Sequence, residues 1–375
     1  GWVIIFIGLG IWASEFEWAQ NLLKWVRGTV EDSILAFRGI PYAAPPVGDR
    51  RFKAPEPPEP WTEPREATQF GPACPQEYSE LELPEGLGLP EGSPISEDCL
   101  TLNVWSRSLE GNDPVIVFIH GGGFVAGSAS IPWYDGADLA RRGATVVSIQ
   151  YRLGPFGWLD LSDLGPEYAQ SMNNGLKDQM AALQWVRQNI AAFGGDPRNV
   201  TVSGESAGAI SISALMGAPE ADGLYDRAIL QSGTGTVASR KWAAGVAKTF
   251  AKKARVKNLA EVLELSTEQM LRAASKLYSS GFSDTVFHPV VDGGLIPELP
   301  SARIASPDGP STPVIIGTTL DEARYWYYQL PVIRRLPLVY SRPWLEALVS
   351  DRADEVIEAY RTERPDLTDS ELQLA

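Results

Sequence analysis

Histidine is almost missing from this chain of 375 residues, which holds two, His120 and His288, beside two cysteines and four methionines. The two cysteines, Cys74 and Cys99, fit neither a zinc site nor a dithiol redox motif. Two readings are left for them: one loop-closing disulfide, or two buried thiols. A disulfide would contribute about 3 to 4 kcal/mol by chain-entropy arithmetic and would imply an oxidising compartment. Positive charge is also short, with 32 Lys and Arg against 47 Asp and Glu and a formal charge of -15. No basic stripe breaks that field, so a nucleic-acid partner is excluded. The acidic balance favours solubility and says little about a substrate.

A long apolar run is lacking as well. Gly1 to Ala13 (GWVIIFIGLGIWA) is apolar, but a membrane span needs about 20 residues. No initiator methionine or basic leader stands before it. Residues 1–24 read as an apolar leader or disordered start, either the remainder of a signal-peptide core ending near Ala13-Ser14 or a mis-assigned beginning. The secretory reading predicts a secreted or periplasmic protein, with the cytoplasm as the alternative. Membrane contact is expected only if the apolar N-terminus is retained.

What is present is a large apolar content, 44%, punctuated by 35 glycines and 29 prolines spread between apolar runs. That pattern predicts one domain, residues 25–375, built of many elements joined by turns. Leu100 to Val104 alternates as a strand does. Val115 to Ile119 is a continuous β-branched and aromatic run suited to a buried central strand, and Ala144 to Tyr151 reads as a second buried strand, with a short helix around Gly136 to Arg142 between them. Leu176, Met180, Leu183, Val186 and Ile190 recur at helical spacing until Gly194-Gly195-Asp196-Pro197 stops the helix. Val200 to Ser203, Arg227 to Gln231 and Pro313 to Gly317 read as further strands, Ile210 onward and Trp344 to Arg361 as helices. Lys241 to Ser280 reads as an amphipathic helical cap, about residues 240–285. Alternating strands and helices imply an α/β fold with a mostly parallel sheet covered on both faces.

Two motifs carry chemistry. Gly204-Glu205-Ser206-Ala207-Gly208 falls between a short strand and a helix, where a sharp turn lifts a serine hydroxyl above the strand ends. Ser206 is therefore the candidate nucleophile. His120-Gly121-Gly122-Gly123-Phe124 follows the Val115 strand, and its glycines let backbone N–H groups approach a substrate oxygen closely. A phosphate-binding loop would need a lysine and a following helix, which are missing here. The pattern predicts an oxyanion hole made by the N–H groups of Gly122, Gly123 and Ala207.

These motifs, with FRGIPYA, SEDCLTLNV, YRLGPFG, NNGLKDQ, FGGDPRNVTVSGESAG, LQSG and PVVDG in order along residues 25 to 325, resemble the type B carboxylesterases, the group that includes cholinesterases and bile-salt lipases. The resemblance implies an α/β-hydrolase fold whose final strands lie beyond this chain, and a disulfide between Cys74 and Cys99. It implies Glu322 as the acid of a catalytic triad, with Asp321 as the rival. Glu205 would hold an active-site water, Ser232 would support the acid, and Arg38–Glu97 and Arg152–Asp178 would be structural ion pairs. It implies a small carboxylic ester as substrate and neither metal nor organic cofactor.

A serine hydroxyl needs a base, which in the family is a histidine in a later C-terminal loop. His120 abuts the glycine loop, and His288 precedes Glu322, which inverts the order of the fold. Neither suits the role, so the sequence reads as truncated within an element at Asp369 to Ala375 and, as it stands, nearly inert. A catalytically inactive, cholinesterase-like adhesion module is the competing class, and an interfacial lipase a third. Trp133, Tyr134 and Trp158 are candidate pocket residues. The Asn199-Val200-Thr201 sequon adjoins a buried strand and reads as incidental.

Overall fold

The computed structural model describes residues 26–77, 86, 88–233, 235–278, 286–320, 322 and 352–368. The apolar start, Asp321, the first part of the helix expected from Trp344, and the expected helix opening at Asp369 lie outside the described residues. The chain forms two compact units, one reaching Ile316 and the other beginning at Gly317.

The first unit is organised by an eight-stranded sheet. In chain order its strands are β1 (Thr29–Glu31), β2 (Ile34–Pro41), β3 (Thr101–Ser106), β4 (Asp113–Ile119), β5 (Thr145–Ile149), β6 (Gly195–Glu205), β7 (Arg227–Gln231) and β8 (Val314–Gly317). Across the sheet they stand in the order β8-β7-β6-β4-β5-β3-β2-β1. The centre, β5-β4-β6-β7, is parallel, and β3, β2 and β1 continue it antiparallel. Val115, Val117 and Ile119 of β4 are fully excluded from solvent. Each such side chain contributes about 1.5 to 3 kcal/mol of burial free energy, which is why this run of branched residues becomes the middle of the sheet. At the β8 edge, by contrast, Val314, Ile315 and Ile316 are exposed.

Helices form at Ala137–Arg141, along the Leu176 to Ile190 period, around Ile210 and within 240–285 as expected, while two short ones, Gly154–Trp158 and Pro300–Ala305, lie where the sequence predicts none. In chain order the helices are α1 (Ala137–Arg141), α2 (Gly154–Trp158), α3 (Asn174–Asn189), α4 (Ala207–Met216), α5 (Arg240–Ala254), α6 (Thr267–Tyr278) and α7 (Pro300–Ala305) in the first unit, and α8 (Ala353–Glu363) in the second. Leu176, Leu183 and Val186 bury one face of α3, while Met180 is only half-buried. Gly194 ends the turn that follows α3 with φ +80°, and a Cβ there would lie 1.9 Å from the Ser108 carbonyl oxygen, so no larger residue fits. Strand β6 starts at once at Gly195, earlier than the expected Val200.

Cys74 and Cys99 are joined in a disulfide, which resolves the two readings of the cysteines. The ion pair Arg152–Asp178 is also present, buried and bidentate. The expected Arg38–Glu97 pair is not formed. Arg38 instead meets Glu31 across the β1–β2 hairpin through two hydrogen bonds of 2.7 and 2.6 Å. Glu97 takes Arg51 at 2.7 and 2.8 Å, and Arg51 also donates to the carbonyls of Leu263 and Leu265, before α6. The same Arg38 guanidinium donates to Thr29 Oγ1 at 3.2 Å, so Arg38 is taken up by the strand that pairs with its own.

Candidate active site

Ser206 stands at the junction of β6 and α4 with φ 54° and ψ −121°, a conformation that costs an L-residue energy and persists only where its surroundings hold it. Three contacts hold it here. Its N–H donates to the Gln231 carbonyl at the end of β7 (2.8 Å), and its carbonyl accepts from Ile210 in α4 (2.9 Å). The two motif glycines supply the third: a Cβ on Gly204 would lie 2.6 Å from the Gly208 carbonyl carbon, and one on Gly208 would lie 2.0 Å from Ile119 O. The side chain therefore stays at the tip of the turn, half-buried. A second strained turn lies beside it, because Ser232 also has φ 54° and a Cβ on Gly233 would be 2.4 Å from Ser206 O.

The glycine loop packs directly on this elbow. A Cβ on Gly121 would lie 2.6 Å from Glu205 Oε2 and 3.1 Å from Ser206 Cβ, so only glycine lets the loop come so close. Gly122 and Gly123 follow with φ +105° and +61°, and Phe124, fully buried, also has a positive φ of 65°. The Gly122 carbonyl accepts from Val125 and Ala126 at 3.1 and 3.0 Å, which closes the loop into a compact turn. Serine, its neighbouring carboxylate Glu205, Ala207 and the glycine backbone are thus assembled at one end of the central strands. Backbone donors in that position can stabilise an oxygen that becomes negative.

His120 anchors the start of the loop. Its ring is buried and stacks on Tyr151 with centroids 4.5 Å apart, and Nδ1 lies 2.8 Å from the Gly121 carbonyl. A carbonyl only accepts, so Nδ1 carries the proton. Burial, opposed by hydrogen bonds with the Gly121 carbonyl and the Gln150 side chain, pushes this ring down to about 4. It is a neutral structural imidazole at neutral pH. His288 is buried too, with its ring edge-on to Phe124 at 5.5 Å. It is fixed near the loop because Asn173 ties Val290 down, accepting its N–H at 2.8 Å and donating to its carbonyl at 2.9 Å.

Glu322, the predicted acid, belongs to the second unit, where it is exposed and accepts the Thr319 N–H at 2.7 Å. Of the three candidate pocket residues, Trp158 is a core residue, packed on Phe124 and donating to the Arg152 carbonyl. Trp133 is exposed. Tyr134 is half-buried beside Phe118, and burial together with the Glu205 charge pushes its phenol up to about 12. Two residues that sequence reasoning passed over also support the loop: Tyr151, whose hydroxyl donates to the His120 carbonyl (2.9 Å), and Gln76, on Gly127. A lone glutamine two places after a cysteine carries no signal in the sequence.

Comparison with known proteins agrees with this geometry. The family model described as "Carboxylesterase family" matches residues 24–359, and one described as "Putative transmembrane protein (PGPGW)" matches residues 1–29. The chain is 43% identical over 309 residues to para-nitrobenzyl esterase of Bacillus subtilis (strain 168), covering 80% of this chain and 62% of that protein. It is 38% identical over 344 residues to phenmedipham hydrolase of Pseudarthrobacter oxydans, covering 89% of this chain and 67% of the relative. Among solved structures, a carboxylesterase of Geobacillus stearothermophilus superposes with a TM-score of 0.83 at 38% identity, covering 93% of this chain and 71% of the other. The chain thus spans about 62% of the length of the first of these relatives. With its α/β-hydrolase sheet, its serine elbow and a family match over most of its length, the chain belongs to the carboxylesterase family.

Proposed function

We propose that the protein hydrolyses small carboxylic esters through an acyl-enzyme on Ser206. The observation that carries this reading is the close packing of Gly121 on Ser206 and Glu205, which brings the glycine backbone against a serine held at φ 54°. Ser206 attacks the ester carbonyl, the N–H groups of Gly122, Gly123 and Ala207 receive the oxyanion, and the alcohol departs. Water then cleaves the acyl-serine by the same path in reverse. Glu322 is the acid that orients the base, Glu205 holds water beside the serine, and Ser232 supports the acid. The relatives named for hydrolysing para-nitrobenzyl esters and phenmedipham support an ester-type substrate.

The base is a histidine outside these 375 residues. His120 has its Nδ1 committed to Gly121 and its ring stacked on Tyr151, and His288 packs on Phe124. The disulfide supports an oxidising compartment, secreted or periplasmic. No described helix is long and apolar enough to cross a membrane.

The test compares residues 1–375 with the polypeptide extended to include the later histidine. A fluorophosphonate should label the extended protein on Ser206, and Ser206→Ala should abolish both the label and p-nitrophenyl acetate hydrolysis. Residues 1–375 alone should turn over about a millionfold more slowly, the cost of losing the histidine of a serine triad. Ample turnover by residues 1–375, lost on His288→Ala, would overturn the assignment of the base.

A further inference from the structure

The glycine loop is held at three points, and one of them is a residue outside every sequence block that carries the family resemblance. At its start the Tyr151 hydroxyl donates to the His120 carbonyl (2.9 Å). In its middle the Gly154 N–H donates to the Phe124 carbonyl (2.7 Å). At its end stands Gln76, whose Oε1 accepts the Gly127 N–H at 2.9 Å while Nε2 donates to the Gly127 carbonyl at 2.8 Å. Nε2 also donates to the Cys74 carbonyl at 3.1 Å. Gln76 is 6% exposed, and its amide pairs with Gly127 as a neighbouring strand would.

Gly127 is where such a clamp would be felt. It has φ +108°, and a Cβ on it would lie 2.4 Å from His120 Nδ1 and 2.5 Å from the Gly121 carbonyl oxygen. The end of the loop therefore presses on its beginning, and Gly121 in turn abuts Ser206. Cys74, two residues before Gln76, is fixed by the disulfide to Cys99, and its sulfur rests 2.8 Å from the Tyr151 carbonyl oxygen.

We propose that Gln76 is a positioning residue for ester hydrolysis: it fastens the C-terminal end of the glycine loop to the Cys74–Cys99 disulfide, and so keeps the Gly122 and Gly123 N–H groups aimed at the oxygen above Ser206. The proposal rests on the esterase reading of Ser206. It also explains the residue type. Both a donor and an acceptor are needed at the same depth, and a carboxylate would face the carbonyls of Gly127 and Cys74 with no proton to give.

The variants are Gln76→Glu, which keeps the shape and removes the donor, and Gln76→Ala, with Gln76→Asn in its place if the alanine form does not fold. Two readouts are made on the full-length protein. Amide hydrogen exchange across residues 120–127 should quicken about tenfold or more in the variants while exchange in α3 stays as in the parent. In p-nitrophenyl acetate hydrolysis, kcat should fall about 10- to 100-fold with KM within about twofold, short of the roughly 100- to 1000-fold lost with a whole oxyanion donor. Unchanged exchange at 120–127, a loss carried by KM alone, or faster exchange spread equally over α3 would each overturn the proposal. If the parent protein hydrolyses no ester, the esterase reading falls, and the exchange at 120–127 alone decides whether Gln76 is a clamp.

Discussion

Gly208 sits directly against the carbonyl of Ile119, so close that a Cβ on residue 208 would lie 2.0 Å from that oxygen. The contact joins the last residue of β4 to the first turn of α4, and both flank Ser206 and the glycine loop. Neither side is a flexible side chain that could swing away, so an added methyl must displace backbone. Gly208→Ala should therefore move the elbow away from the loop. The expected outcome is a loss of ester turnover of about 100-fold or more, comparable to removing an oxyanion donor, with a lowered melting temperature. Turnover within a few-fold of the parent would show that the elbow and loop need not be so tightly joined.

Asp178 is a second point where one atom group carries a great deal. Its carboxylate accepts from Arg152 three times, from the backbone N–H at 3.0 Å, from Nε at 2.8 Å and from Nη2 at 2.7 Å, and both side chains are almost fully excluded from solvent. The Arg152 Nη1 continues to the Lys53 carbonyl, so the pair links α3 to the segment before β3. Asp178→Asn leaves a buried guanidinium without its counter-charge. Breaking one partner of such a pair costs about 3 to 5 kcal/mol, which urea denaturation at pH 7 would register as a lower midpoint. A loss below about 1 kcal/mol, the scale of surface pairs, would mean that water reaches the arginine.

These two cases mark how far the sequence could be read. The sheet was legible because Val115 to Ile119 and Thr145 to Ile149 are short runs rich in β-branched residues, bounded by turn residues, which favour a buried strand. The nucleophile was legible because Gly204 and Gly208 are needed on steric grounds that the spacing itself encodes. What the residues alone did not disclose was side-chain partnership. Arg38 takes Glu31 and not Glu97, and Glu97 takes Arg51, because the adjoining strand β1 and the segment at Arg51 bring those partners close only in the folded chain. Gln76 stayed hidden for the same reason, since nothing near Cys74 in sequence announces that Gly127 will lie beside it. Tyr134 and Trp158 looked alike as aromatics, and only burial separates the core residue from the one beside Glu205.

His120 offers a test through pH. Burial holds its folded-state value down to about 4, against about 6.5 for an unperturbed imidazole. Between those values the unfolded chain binds a proton that the native ring refuses. The contribution of this residue is thus fully present above pH 6.5 or so and is lost as the pH falls toward about 4. Between pH 7.5 and 4.5 the arithmetic gives a loss of about 2.5 kcal/mol from this one group. The carboxylates add their own acid dependence, so the comparison is made with His120→Gln, which lacks the titrating ring and keeps every carboxylate. Urea unfolding at the two pH values should show the parent losing about 2.5 kcal/mol more than the variant. Parallel losses in the two proteins would mean that the ring is hydrated or charged in the native state, and that it does not brace the glycine loop as a neutral donor to Gly121.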